Sequence, residues 1–169
     1  MTEIVMNAIG VIRTPFQQSA GTPIQSYASR GAQGSVELFA GFEAGLRDLD
    51  GFDRIWLLFW LDRAAEARLV VRPYLDVVEH GVFATRAPAR PNHIGLSSVR
   101  LRGIEGNVLQ VADVDMLDGT PLLDIKPYVP AFDHQPAARI GWYEQRLAAG
   151  ATALADDRFE KKLRNNRGD

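Results

Sequence analysis

Short apolar runs broken by turn-forming residues recur along most of the chain, and this pattern restricts the fold more than any other feature. Residues 5–13 form the first run and stop at Thr14-Pro15. Residues 35–39, 69–72, 82–85 and 122–125 are further runs of strand length. Residues 54–61 are strongly apolar and aromatic, and read as a strand buried on both faces, with Trp56 and Trp60 filling the core. Residues 97–102 alternate polar and apolar, Gly106-Asn107 is a hairpin signal, and residues 108–114 follow as the partner strand. Residues 42–49 read as a brief helix with Phe42, Leu46 and Leu49 on one face. Many short strands joined by turns predict a mainly β, barrel-like core. The tail differs: residues 140–147 and 151–165 read as helices of an appended arm. The expected division is therefore a β-barrel domain over residues 1–135 and a helical C-terminal arm over residues 136–169.

A chain of 169 residues suits one core domain. It has no cysteine, which excludes disulfides, a thiol nucleophile and Cys-held zinc or iron–sulfur centres. His80, His93 and His134 are widely separated, so no metal site is expected. The N-terminus does not read as a signal peptide and the longest apolar run is too short to span a bilayer, so the expected location is the cytoplasm, off the membrane. The net charge of −2 argues against a basic coat for nucleic acid. Its distribution says more. Between Arg63 and Arg102 there are seven arginines against three acids, and between Gly103 and Asp133 six acids against Lys126. The two stretches read either as ordinary surface fluctuation or as a basic surface beside an acidic pocket.

No phosphate-binding loop, GxGxxG turn, nucleophile elbow or HExxH helix is present. Three other stretches carry candidate chemistry. In residues 84–97, Pro88 and Pro91 stiffen a loop that presents Arg86, Arg90, Asn92 and His93. Its arginines either pair with local acids or face a ligand. Residues 113–128 hold Asp113 and Asp115, placed on one side of an extended chain, and Asp118 in the turn Asp118-Gly119-Thr120-Pro121. These carboxylates suit either a cation or plain turn capping. The spacing fails the calcium-loop pattern. Residues 14–33 form a long polar loop containing Tyr27, a ring able to stack on a planar ligand.

Taken together, IGVIRTPF from Ile9, GFDRIWLLFWL from Gly51, GVFATRAPARPNHIGLS from Gly81 and LDGTPLLDIKPYVPAFD from Leu117 closely resemble the TsaA-like (TrmO) family over residues 7–133. The resemblance implies a closed TsaA-like β-barrel with short helices, a homodimer, and S-adenosyl-L-methionine as cofactor. It implies N6-methylation of threonylcarbamoyl-adenosine beside the anticodon, with the tRNA anticodon loop as partner. The alternatives are a methyltransferase acting on another small or macromolecular substrate, and a non-catalytic S-adenosylmethionine-binding module. The cofactor segments of the family correspond to Ser26, Tyr27 and Ala28, to Asp62 and Arg63, to Arg86, to Leu96, and to Ala112, Asp113, Val114 and Asp115. His93 stands where the family has a second Pro in its RPNP run, and Asp62-Arg63 where it has a His-Gln pair.

From this resemblance, the acidic segment is expected to face the cofactor's cationic groups, Arg86 its carboxylate and Tyr27 its adenine. Arg90, Asn92 and Lys126 are expected to orient the acceptor. No catalytic base is assigned; His93 is the weak candidate.

Overall fold

In the computed structural model, which describes residues 2–29, 31–149 and 154–160, six strands close into an antiparallel barrel. They are β1 (Gly10–Arg13), β2 (Gln33–Leu38), β3 (Arg54–Trp60), β6 (Ile94–Glu105), β7 (Val108–Ala112) and β8 (Thr120–Pro127). A separate two-stranded ribbon joins β4 (Val70–Val71) to β5 (His80–Gly81). Around the barrel the order is β1-β2-β7-β6-β3-β8, and β8 returns to β1 through Gly10–Leu122 and Ile12–Thr120. Closure leaves the barrel itself no unpaired edge. Register shifts at Leu58/Phe59 and Leu101/Gly103 help the sheet curve.

The core follows the period-two pattern of the strands. Ile12, Val36, Ile55, Leu57, Val99, Leu109 and Leu122 are all fully buried. Each contributes about 1.5–3 kcal/mol by leaving water. β3 is not buried on both faces as expected. Ile55, Leu57 and Phe59 point inward, while Trp56, Leu58 and Trp60 are only half-buried. The tryptophans lie on the outer face, Trp56 against Tyr128 and Trp60 against His93, with ring centres 5.5 and 5.6 Å apart. Phe59 fits inside because Gly95 lies opposite it; a Cβ there would meet the Phe59 ring at 2.1 Å.

The hairpin turn forms as expected, with Gly106 at φ +61°, which an L side chain adopts poorly. Other local expectations shift. Residues 82–85 are not a strand: Val82–Ala84 make a single 3-10 turn, and the ribbon strand is the preceding His80–Gly81. Residues 42–49 give 3-10 turns at Glu43–Leu46 and Leu49–Gly51 rather than one helix. Strands expected at 5–13 and 108–114 are shorter, starting at Gly10 and ending at Ala112.

After β8 come two short helices, α1 (Pro130–Asp133) and α2 (Tyr143–Ala148). Within the expected helix 151–165, residues 154–160 instead hold a 3-10 turn at Asp157–Phe159 between two isolated bridges. Residues 151–153 and 161–165 lie outside the described residues. The bridges join Leu154 to Pro23 and Glu160 to Ala64, so the tail packs on the loops over one end of the barrel. Phe159 is buried there with Val71, Val82, Ala87 and Ala89 in a second small core.

Candidate cofactor and acceptor pocket

The long connections gather at the end of the barrel where β3 finishes and β6 and β8 begin. They enclose a pocket of about 630 Å³, which is within the usual range for a small-molecule site. Its walls come from residues 19–25, from 59–64, from 83–97, from 115–120, and from the tail. Asp62, Arg63, Arg86, Arg90, Asn92, Leu96 and Asp115, separated widely in sequence, line this one space.

Asp115 is the most strongly shifted carboxyl in the wall. Burial pushes its carboxyl up from 3.8 to about 6, only partly offset by a hydrogen bond from Ser97, the charge of Arg86 and the Ser26 backbone N–H. Ser97 Oγ donates to Asp115 Oδ1 at 2.6 Å. Arg86 is exposed and donates to Gln25 Oε1 at 2.7 Å. Arg63 donates to the carbonyls of Gln17 (3.1 Å) and Asp118 (2.6 Å). Arg90 donates to the carbonyls of Thr85 and Ala87, both at 3.3 Å, and so braces its own Pro-rich loop. A carboxylate that ionises near neutrality and an arginine thus face the same space, beside the exposed apolar side chain of Leu96.

The other expected residues are placed differently. Ser26, Tyr27 and Ala28 form a 3-10 turn just past Gln25, with the Ser26 amide toward Asp115. The Tyr27 side chain lies outside the described part of the structure. Asp113 and Asp115 do not share a side. Asp113 adopts φ +70°, which turns the chain, and its carboxylate takes Arg100 at 2.7 and 2.9 Å and Arg54 at 3.2 Å. Those guanidiniums hold the Asp113 carboxyl below its usual range, Arg100 foremost. Ala112 and Val114 are buried beside it. Asp118 caps the turn, accepting the Thr14 N–H at 3.0 Å. Lys126 pairs with Asp124 at 2.7 Å on β8 and is not part of the pocket wall. His93 packs on Trp60 and is likewise not part of that wall. Among the described residues no group of three or more His, Asp or Glu side chains is arranged to hold a metal ion.

Several wall residues gave no signal in the sequence. Trp142 lines the pocket and donates Nε1–H to the Ala84 carbonyl at 2.8 Å. It stacks on His80 and on Tyr143, at 4.4 and 3.8 Å between ring centres. Next to it, buried Asp76 accepts Arg146 at 2.5 Å, faces His80 Nε2 at 3.1 Å, and caps the amides of Val77 and Val78. Arg146 above all holds the Asp76 carboxyl well below its usual range. This cluster fixes α2, which at six residues is too short to be stable alone. Glu160 closes the far side, accepting Ser19 N–H at 2.9 Å and Ser19 Oγ at 2.5 Å. Only contacts distant in sequence bring these groups to the pocket.

The family described as the tRNA-methyltransferase O N-terminal domain matches residues 11–134. The chain belongs to this family. A Pyrococcus abyssi protein named a probable S-adenosyl-L-methionine-binding protein is 49% identical over 156 residues, spanning 92% of this chain and 85% of that relative. The tRNA (adenine(37)-N6)-methyltransferase of Escherichia coli is 33% identical over 173 residues, spanning 96% and 74%. A crystal structure of TrmO from Pseudomonas aeruginosa matches with a TM-score of 0.72 at 40% identity, over 83% of this chain. This chain spans 62% of that TrmO chain. The family and the closed barrel expected from the sequence are therefore as found, and the pocket lies almost wholly within the matched residues, with the tail completing it.

Proposed function

We propose that this chain is an S-adenosyl-L-methionine-dependent methyltransferase that methylates N6 of threonylcarbamoyl-adenosine beside the anticodon of tRNA. The observation that carries the reading is the pairing of Asp115 and Arg86 in one pocket of about 630 Å³ within a TrmO-family barrel. The names of the relatives support it: one is a tRNA (adenine(37)-N6)-methyltransferase and another an S-adenosyl-L-methionine-binding protein.

The residues present fit this cofactor. Ionised Asp115 suits a cationic sulfonium or ammonium group, and Ser97 and the Ser26 amide hold the carboxylate in place. Arg86 is a forked donor suited to a carboxylate, and Gln25 orients it. Leu96 offers an apolar surface. Asp62 and Arg63 in the pocket wall complete the proposed cofactor contacts, with the turn at Ser26–Ala28 next to Gln25 and the segment Ala112 to Val114 behind Asp115 as support. S-adenosylmethionine supplies a methyl group already activated on sulfur. The chain's part is to align the acceptor nitrogen and exclude water. Arg90 and Asn92 in the pocket wall are assigned to the acceptor side. Lys126, on the outside of the barrel, is assigned to contacts with more distant parts of the RNA.

The reading includes a homodimer, which we place on the outer face of β3 and β6. There Trp60 neighbours Ile94 and Leu58 neighbours Leu96 across the strands. This apolar face runs into the pocket wall through Ile94 and Leu96. Two copies would also present the arginine-rich stretch from Arg63 twice, offsetting a modest charge per chain. The reading also includes a cytoplasmic location.

Nucleoside mass spectrometry tests the reading. Threonylcarbamoyl-adenosine tRNA incubated with the protein and labelled cofactor is expected to gain one methyl group on that nucleoside. Label on a metabolite, or cofactor binding with no transfer to any acceptor, would favour the other two classes.

A further inference from the structure

Phe83 is left unused by this reading, and its placement is unusual. It belongs to the pocket wall, yet 78% of it is exposed. Its backbone is pinned on both sides. Val82 is buried in the second core, and Thr85 returns its N–H and Oγ1–H to the Val82 carbonyl at 3.1 and 2.9 Å. On the other side of Phe83, Trp142 Nε1–H holds the Ala84 carbonyl at 2.8 Å. The backbone of the 3-10 turn Val82–Ala84 is therefore fixed where it presents Phe83.

The charges around it point the same way. Arg63, Arg86 and Arg90 share the pocket wall with Phe83. Their hydrogen bonds go to neutral acceptors: the carbonyls of Gln17, Asp118, Thr85 and Ala87, and the Gln25 amide. Among the described residues none of the three is within ion-pair distance of a carboxylate. A ring presented from a fixed backbone beside the guanidinium left on the acceptor side, that of Arg90, is the chemistry that holds unstacked nucleotides: the ring takes a base face and the cation takes a phosphate.

We propose that Phe83 is the platform on which the acceptor nucleobase stacks when it is presented for methyl transfer. This rests on the tRNA methyltransferase reading above and names the acceptor side of the same pocket. Because Phe83 is exposed and its neighbours carry the packing, its replacement leaves the fold intact.

The test compares wild type, Phe83→Ala, Phe83→Leu and Phe83→Trp. It reads KM and kcat on tRNA carrying threonylcarbamoyl-adenosine, calorimetric affinity for S-adenosylmethionine, and solution mass by light scattering. Phe83→Ala is expected to raise KM for tRNA about 5- to 100-fold, the loss of one base–aromatic stack. Cofactor affinity and solution mass stay unchanged. Phe83→Trp recovers KM and Phe83→Leu does not. An active wild type with an unchanged KM in Phe83→Ala overturns the proposal alone, as does full recovery by Phe83→Leu. A change of solution mass in Phe83→Ala overturns it in favour of a contact between copies. A wild type that transfers no methyl group to tRNA overturns both this proposal and the function it rests on.

Discussion

Asp115 shows how one residue's surroundings decide its chemistry. Three acids crowd one segment, yet each meets a different fate. Asp113 is neutralised by Arg100 and Arg54, Asp118 caps a turn, and Asp115 enters the pocket with its carboxyl pushed up to about 6. A folded-state value above the unfolded one means that the folded protein holds the proton more tightly. This contributes stability that is fully present below the unfolded value of 3.8 and is lost as pH rises through about 6. The whole effect is up to about 3 kcal/mol. Asp115→Asn carries no charge to desolvate, yet its amide oxygen still accepts from Ser97. It is expected to melt close to wild type near pH 4 and several degrees higher at pH 8. Thermal melts across that range check this, and a difference that does not change with pH contradicts it. The type and region of this residue were legible in the sequence. Its separation from Asp113 was not, because it depends on the left-handed backbone at Asp113, which the residue type does not require.

At the scale of elements, turn chemistry marked the strands well and burial poorly. Gly106-Asn107 placed the β6–β7 hairpin, and the runs around Val36, Leu57 and Leu122 became barrel strands. The two tryptophans of β3 misled because a doubly apolar strand looks the same whether its second face meets protein or is left open. In this barrel the inward positions are taken by Ile55, Leu57 and Phe59, so Trp56, Leu58 and Trp60 remain outside. That open face is the proposed dimer contact. Leu58→Lys places a charge at its centre while leaving the inward positions untouched. The expected result is a folded barrel by circular dichroism, with the solution mass falling from that of a dimer to that of a single 18.7 kDa chain. A variant that stays dimeric, or a wild type that is already monomeric, contradicts the assignment.

Across the whole molecule, the barrel acts as a rigid base and its long connections make the site. Ser19 to Gln25, the Pro-braced loop, the turn after β7 and the tail all converge over one barrel end. Family-specific motifs made the Pro-braced loop and the turn after β7 legible in advance, and polar composition marked residues 14–33 as a long loop. The tail was not legible, since Trp142, Phe159 and Glu160 reach the pocket only through distant partners: the Ala84 carbonyl, the second core and Ser19. The net charge of −2 is also a whole-molecule quantity that conceals the site. Arg63, Arg86 and Arg90 line the pocket together with Asp62, Asp115 and Glu160, while Asp113 and Asp124 are spent on ion pairs and Asp118 on a turn. The central claim is that this pocket holds S-adenosylmethionine between Asp115 and Arg86. Titration calorimetry with the cofactor tests it most directly. The account predicts one binding event per chain in the micromolar range or tighter, with affinity that falls as pH drops through about 6 and is lost in Arg86→Ala. No heat of binding at neutral pH, or binding indifferent to both pH and Arg86, would contradict it.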